Sequence, residues 1–386
     1  MGKKKALVLS GGGGRGAYHI GVLQALVELG WIADGHGPDI IAGTSIGAIN
    51  AAAIASGLTI AELKANWLDM HTEDVHRLSR DLPAITRPLM GFLMRGVLTS
   101  ETGPSDTHDH DTADLPPTLP PQDSMTPQGL SERLTSLLRT RPFRSLLDTA
   151  PWRRTLSRWM NFERINSPDA PALLLAATDV QTGDLRVFCN RVLRGKPAET
   201  LTLDHLMASS SVPTIYPWTE IDGIKYWDGA VIANTPLGPV IDLADGEDLD
   251  ILVVMMTPWD SSPDDMRAQL GGMPNDLVQG ISLTLDWALL ASYRTAIKML
   301  KAYNKIADAA QRLEAAAAET NNAAYRMQGR IPHAISEPTV IAPRELMPLE
   351  WIIDYEEANH EQLFALGYED AKRAFDARML SDMLQA

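Results

Sequence analysis

Ile40-Ile-Ala-Gly43-Thr44-Ser45-Ile46-Gly47-Ala48, continued by Ile-Asn-Ala-Ala-Ala-Ile-Ala55, reads as strand, sharp turn and helix with nothing between them. The run Ile40-Ile41-Ala42 shows no polar alternation, which predicts a strand covered on both faces, and the alanine-rich stretch Ala48 to Ala55 predicts a helix. The same order of elements precedes it. Ala6-Leu-Val-Leu9 is a short apolar run, Gly11 to Gly16 breaks it, and Val22, Leu23, Leu26 and Val27 then recur at helical spacing. Two strand–turn–helix units in succession predict a doubly wound α/β fold with a mainly parallel sheet.

Working outward, strand character returns at Ala172 to Ala177, Leu185 to Phe188 and Ile251 to Met256. Glu220 to Trp227 alternates around a turn at Asp222-Gly223. Residues 280 to 327 contain no proline and predict one long helix or a hairpin of two. Leu283, Leu285, Leu289, Leu290, Ile297, Leu300 and Ile306 are expected to form its packing stripe against the sheet. Pro338 to Ala342 predicts a last strand and Asn359 to Leu384 a last helix. The expected organisation is one α/β domain over 1–386, with an insertion at 66–168, a C-terminal helical extension at 280–330 and a final strand and helix over 338–384. Within the insertion, Ser100 to Gly129 carries Pro104, Pro116, Pro117, Pro120, Pro121 and Pro127 among polar residues. A mobile loop is expected there, with His108-Asp109-His110-Asp111 as solvated linker and not a metal site.

The chain of 386 residues is 45% hydrophobic and 22% charged, a balance that excludes a disordered protein. Its net charge of −15 repels phosphates, so nucleic acid is not expected as a partner and membrane contact is expected to be at most peripheral. Cys189 is the single cysteine and excludes an intramolecular disulfide. The apolar run after Lys3-Lys4-Lys5 is too short for a signal peptide, and no run reaches membrane-spanning length. A cytoplasmic location is expected from these features.

Gly43-x-Ser45-x-Gly47 matches the nucleophile elbow, in which a tight strand-to-helix turn exposes a serine oxygen. In a chain with 28 glycines the match gains weight only from its strand and helix context. Gly11-x-Gly13-x-x-Gly16 has two readings. As a dinucleotide fingerprint it should be followed by an acidic residue at the end of the second strand, but Asp39 precedes that strand. As an oxyanion hole, its glycine amides would point at a developing negative charge, with Arg15 adding positive potential. No histidine stands out as a base. His205 is the least implausible, and a structural role is preferred for it. Asp228-Gly229-Ala230 is either a simple turn or a carboxylate shielded by Tyr226-Trp227, and taken alone the turn is preferred.

Together these motifs resemble those of the patatin-like phospholipases. The resemblance is carried by Gly11-Gly-Gly-Gly-Arg-Gly16 with Ala17 to Leu23, by Gly43-Thr44-Ser45-Ile46-Gly47-Ala48, by Ala176-Ala177-Thr178-Asp179, by Ala208 to Pro213 with Tyr216-Pro217, and by Asp228-Gly229-Ala230. It spans about residues 5 to 240 apart from the insertion. It implies a three-layer α/β/α fold and a Ser-Asp dyad that cleaves lipid ester bonds without metal or cofactor. On that resemblance Ser45 is the nucleophile and Asp228 the general base. The amides around Gly12, Gly13 and Gly14, with Arg15, form the oxyanion site, and Gly11, Gly16, Gly43, Gly47 and Gly229 are the motif glycines. An ordinary aspartate is a weak base, so burial near Trp227 is expected to raise its basicity. An acyltransferase or thioesterase on the same dyad, or a non-catalytic lipid-binding protein, are the alternatives.

Overall fold

The computed structural model describes residues 3–80, 144–244, 247–259, 261–274, 277–319, 333–348 and 350–385. In β1 (Lys4–Leu9) successive side chains point to opposite faces, and both faces are buried. Leu7 and Leu9 join one apolar core, while Ala6 and Val8 join the other. Double burial is the reason the run shows no alternation. β1 lies between β2 (Ile40–Thr44) and β9 (Leu249–Val254), parallel to both. β10 (Thr339–Ile341) adds a parallel edge to β9, and β5 (Ala172–Asp179) runs parallel to β2 on its far side.

Beyond β5 the sheet becomes antiparallel. β6 (Leu185–Cys189) and β8 (Ile224–Asp228) both pair with β5, and β7 (Thr219–Ile221) forms a hairpin with β8. The hairpin turn places Asp222 and Gly223 at positive φ, 50° and 80°, as a tight two-residue turn requires. The eight strands run in the order β10-β9-β1-β2-β5-β8-β7, with β6 branching from β5. β3 (Arg77–Leu78) and β4 (Leu147–Asp148) form a separate antiparallel pair.

Helices cover both faces, which gives the three-layer α/β/α arrangement. One face carries α1 (Ala17–Glu28), α2 (Ile46–Ala55), α3 (Ile60–Leu68) and the C-terminal helix Glu357–Gln385. The other carries Leu237–Ala244 and the long helix Leu277–Glu319. Every residue of α2 is buried, and its alanines let it lie close against the strands. The C-terminal helix crosses α1 at two glycines. A Cβ on Gly21 would stand 1.9 Å from the Phe364 carbonyl oxygen, and one on Gly367 would stand 2.1 Å from that of Tyr18. The Tyr18 hydroxyl then donates to Asp370 at 2.9 Å.

The expected elements are present with small shifts in their ends, and two expectations need correction. Residues 277–319 form one 43-residue helix, and its stripe follows the anticipated one only in part. Leu289, Leu290, Ile297 and Leu300 are buried, and the line continues through Ala307 and Ala310, whereas Leu285 and Ile306 are exposed. Ile306 lies nine residues from Ile297, about two and a half turns, and so faces the opposite way. The ends of the expected insertion are also part of the packed body. Trp67 is in the core, and the helix Ala150–Trp159 places Trp152 and Leu156 there too. The proline-rich stretch 100–129 and His108 to Asp111 lie outside the described residues. Among the described residues no helix is long and apolar enough to cross a membrane.

The glycine crossing yields a test. Gly367→Ala drives a methyl group into backbone that cannot give way, so urea denaturation should show a loss of about 2 kcal/mol or more. An unchanged midpoint would mean that the C-terminal helix does not sit on α1.

Candidate active site

Strand register alone brings Ser45 and Asp228 together. β2 runs parallel to β5 and ends with Thr44 opposite Ala176. β8 runs antiparallel to β5 and ends with Asp228 opposite Ala177. Because β6 occupies the other side of β5 at both positions, β2 and β8 approach end to end along one edge. Ser45 and Asp228 stand where they meet.

Ser45 has φ 56° and ψ −129°, an unfavourable conformation for a residue with a side chain. The neighbouring glycines explain how the turn closes. A Cβ on Gly43 would lie 2.3 Å from the Gly47 carbonyl oxygen, and one on Gly47 would lie 2.3 Å from that of Leu9. Gly16 is packed against Ile46 in the same way, and Gly11 against Asn234 and Ser45. The Ser209 hydroxyl accepts the Ser45 N–H at 3.1 Å and donates to the Ala176 carbonyl at 2.6 Å. That same carbonyl would lie 2.5 Å from a Cβ on Gly229, so Gly229 admits no side chain.

Asp228 is 2% exposed. Its N–H donates to Ser211, its carbonyl accepts from Thr178, and its Oδ1 accepts the Ala230 N–H at 2.8 Å. Burial pushes its pKa up to about 7, against the opposing pull of the Ser45 hydroxyl and the Ala230 amide. Oδ2 is buried without a hydrogen bond of regular geometry, so Ser45 is near enough to influence the carboxyl without closing a full bond to it. Trp227, expected to shield the carboxyl, is half-buried and is not part of the cavity wall that Asp228 joins. Successive strand residues face opposite ways, so the indole beside Asp228 in sequence points to the other face of β8.

Asp228 borders a cavity of about 740 Å³ whose wall also includes Ser45, Gly11, Gly12, Gly13 and Asn234. Apolar side chains make up most of the remainder: Ile46, Ile49, Val75, Trp152, Val212 and Ile215 on one part, Val231, Ile232, Leu285 and Leu289 on another. Its size and apolar character suit an acyl chain. Gly12 and Gly13 reach the cavity beside Ser45, and neither N–H donates to another described residue.

A family model for patatin-like phospholipases matches residues 7–241. The chain belongs to this family. No match was found among curated protein sequences. Among solved structures, the chain is similar to VipD from Legionella pneumophila, with 14% identity, a TM-score of 0.39, and coverage of 97% of this chain and 67% of that one. It is also similar to the heterodimeric ExoU–SpcU complex from the type III secretion system of Pseudomonas aeruginosa, with 16% identity, a TM-score of 0.29, and coverage of 84% and 64%.

In this patatin-like chain the glycine turn departs from expectation at its second half. Gly14 and Arg15 are not in the cavity wall. A Cβ on Gly14 would lie 2.2 Å from the Asp354 carbonyl oxygen, and one on Gly13 would lie 1.9 Å from that of Ile352, because the segment Trp351 to Asp354 rests on the turn. Arg15 is 1% exposed and pairs with Asp286 of the long helix at 2.7 Å. It donates further to the carbonyls of Met347 and Pro348. Its charge is therefore spent on the C-terminal segment, which corrects the expectation that it adds potential at Ser45.

His205 and His19 stand outside the cavity wall. His205 caps its own helix through Thr202, packs edge-on against Phe188, and is absent from the cavity wall. His19 is held to Asn50, and burial lowers its pKa to about 3. Cys189 is buried in the second core. Sequence reasoning missed Asn234, whose backbone and side-chain oxygens both take up the Gly11 N–H. It singled out Tyr216 only as part of a family stretch, and it missed Tyr355 and the cavity wall from Leu285 to Thr295. Asn234, Tyr355 and the long-helix wall carry no local signal, since each acts through contacts with distant parts of the chain.

The buried Arg15–Asp286 pair can be tested by removing one partner. Asp286→Ala strands a guanidinium in the interior and should cost about 3–5 kcal/mol in chemical denaturation. A loss of less than 1 kcal/mol would show that Arg15 is solvated or paired elsewhere.

Proposed function

We propose that the protein is a lipid acyl-ester hydrolase in which Ser45 and Asp228 act as a dyad through an acyl-enzyme. Family membership supports the coarser part, lipid-ester hydrolysis. The reading of the residues rests on one observation: a serine on a strained elbow and a buried carboxyl meet at one edge of β5, inside an apolar cavity. Ser45 Oγ attacks the ester carbonyl and its proton passes to Asp228. The tetrahedral intermediate then expels the alcohol, which takes the proton from Asp228. Water repeats the cycle on the acyl-enzyme. A carboxyl raised to about 7 is suited to both halves, because it is basic enough to accept the serine proton and acidic enough to return it. The amides of Gly12 and Gly13 are placed to stabilise the oxyanion, and the first turn of α2 adds its dipole. The substrate is an acyl ester of a lipid, and no metal or cofactor takes part in these steps.

Ser45→Ala should abolish turnover of p-nitrophenyl esters and labelling by a fluorophosphonate while leaving the fold intact. Retention of a tenth of the activity would exclude Ser45 as nucleophile. The base must be ionised to act, so kcat/KM should rise with pH through about 7. A flat profile from pH 5 to 9 would remove Asp228 from that role.

Asp228→Asn should lose activity and gain stability. Because the folded pKa lies above the ordinary carboxylate value, the folded state holds the proton more tightly, and wild-type stability falls as pH rises from about 4 to about 7. The asparagine variant avoids this loss, so its melting temperature should exceed that of the wild type at pH 8 and approach it at pH 5. Lower stability of the variant at pH 8 would mean that the buried carboxylate is compensated.

A further inference from the structure

The cavity wall near Asp228 holds a second polar group that the dyad does not use. His76, Tyr216 and Tyr355 come from three distant parts of the chain, and all are buried. His76 Nδ1 lies 2.9 Å from the Tyr216 hydroxyl, and the Tyr216 hydroxyl is in turn near enough to that of Tyr355 for the two to interact. Both tyrosines line the cavity, and both phenols lie near enough to Asp228 to feel its charge. The backing is firm. The Tyr355 N–H donates to Thr72 Oγ1 at 3.1 Å, and its ring packs against Trp67, Trp152 and His76.

In a mostly apolar wall, two neighbouring phenols backed by a buried histidine need an explanation. Phenylalanine would fill the same space without having to satisfy a buried hydroxyl. Burial, reinforced by the nearby carboxyl, keeps both phenols protonated, and burial keeps His76 neutral. When His76 Nδ1 carries its proton and donates to Tyr216, and Tyr216 donates to Tyr355, the Tyr355 O–H is the donor left for the cavity.

We propose that Tyr355, oriented through Tyr216 and His76, donates a hydrogen bond to the leaving oxygen of the ester, which equips the site for aliphatic alcohol esters whose alkoxides leave poorly. The proposal rests on the Ser45–Asp228 reading. As the acyl C–O bond breaks, its electron pair moves to the alcohol oxygen, Asp228 returns to that oxygen the proton it took from Ser45, and the phenol keeps its own proton throughout. Tyr355 is thus a substrate-contacting residue, while Tyr216 and His76 are positioning residues.

The test compares two esters of one acyl group, p-nitrophenyl butyrate and ethyl butyrate. Nitrophenolate departs without help, whereas ethoxide does not. Tyr355→Phe should lower kcat/KM for the ethyl ester about 10- to 100-fold, the range of one hydrogen bond to a developing charge, and lower it for the nitrophenyl ester at most about 3-fold. Tyr216→Phe should give the same split in smaller measure, with active sites counted by fluorophosphonate labelling so that misfolded protein does not enter the rates. Equal losses on the two esters, or no loss on either, would overturn the proposal. Failure of the wild-type protein to be labelled at Ser45 would instead overturn the dyad, and the proposal with it.

Discussion

The pairing of β5 with two strands along one edge is the constraint on which the site depends. Thr44 faces Ala176 and Asp228 faces Ala177, so β2 and β8 end against each other with no residue to spare. A register slip of one residue in either strand would turn its side chains to the other face and carry the serine or the carboxyl out of the cavity. The surrounding packing defends that register. The Ala176 carbonyl touches Gly229 on one side and accepts the Ser209 hydroxyl on the other, and Ser209 in turn holds the Ser45 amide.

Two costs are concentrated at this point. Ser45 is held at positive φ, and Asp228 is buried with no cation beside it among the described residues. Strain of the first kind is worth about 1–3 kcal/mol and persists only where the neighbouring structure over-determines it. Here that structure is the glycine-to-carbonyl contact on each side of the serine, backed by the fully buried α2. The raised pKa of Asp228 is the counterpart in electrostatics. Isolation destabilises the carboxylate, and the same isolation makes it a stronger base.

The region beyond the family match, after residue 241, completes the cavity. The long helix contributes Leu285 to Thr295, and Ile352, Ile353 and Tyr355 form further wall. This segment is tied to the body at three places: Arg15 to Asp286, Gly13 and Gly14 under Trp351 to Asp354, and α1 against the C-terminal helix. Arg15 therefore serves the assembly of the pocket, a use different from the electrostatic one its motif suggests. The desolvated ion pair contributes little net stability while it is complete, and penalises arrangements in which the helix is displaced.

Much of this was legible in the chain itself. Unbroken apolar runs at Ala6 to Leu9 and Ile40 to Ala42 determine strands buried on both faces, and the glycines flanking Ser45 mark a sharp strand-to-helix turn, since these are matters of local size and periodicity. The hairpin at Asp222-Gly223 and the order of the family motifs belong to the same class. What only the tertiary structure decided are relations without a local period. These are the meeting of Ser45 and Asp228 on β5, the recruitment of Tyr355 from beyond the family region, the pairing of Arg15 with Asp286, the placing of Asp228 on the cavity wall and of Trp227 off it, and the phase that turns Ile306 outward. Each depends on where two distant segments come to rest, and that is set by packing of the whole core and not by the residues on either side.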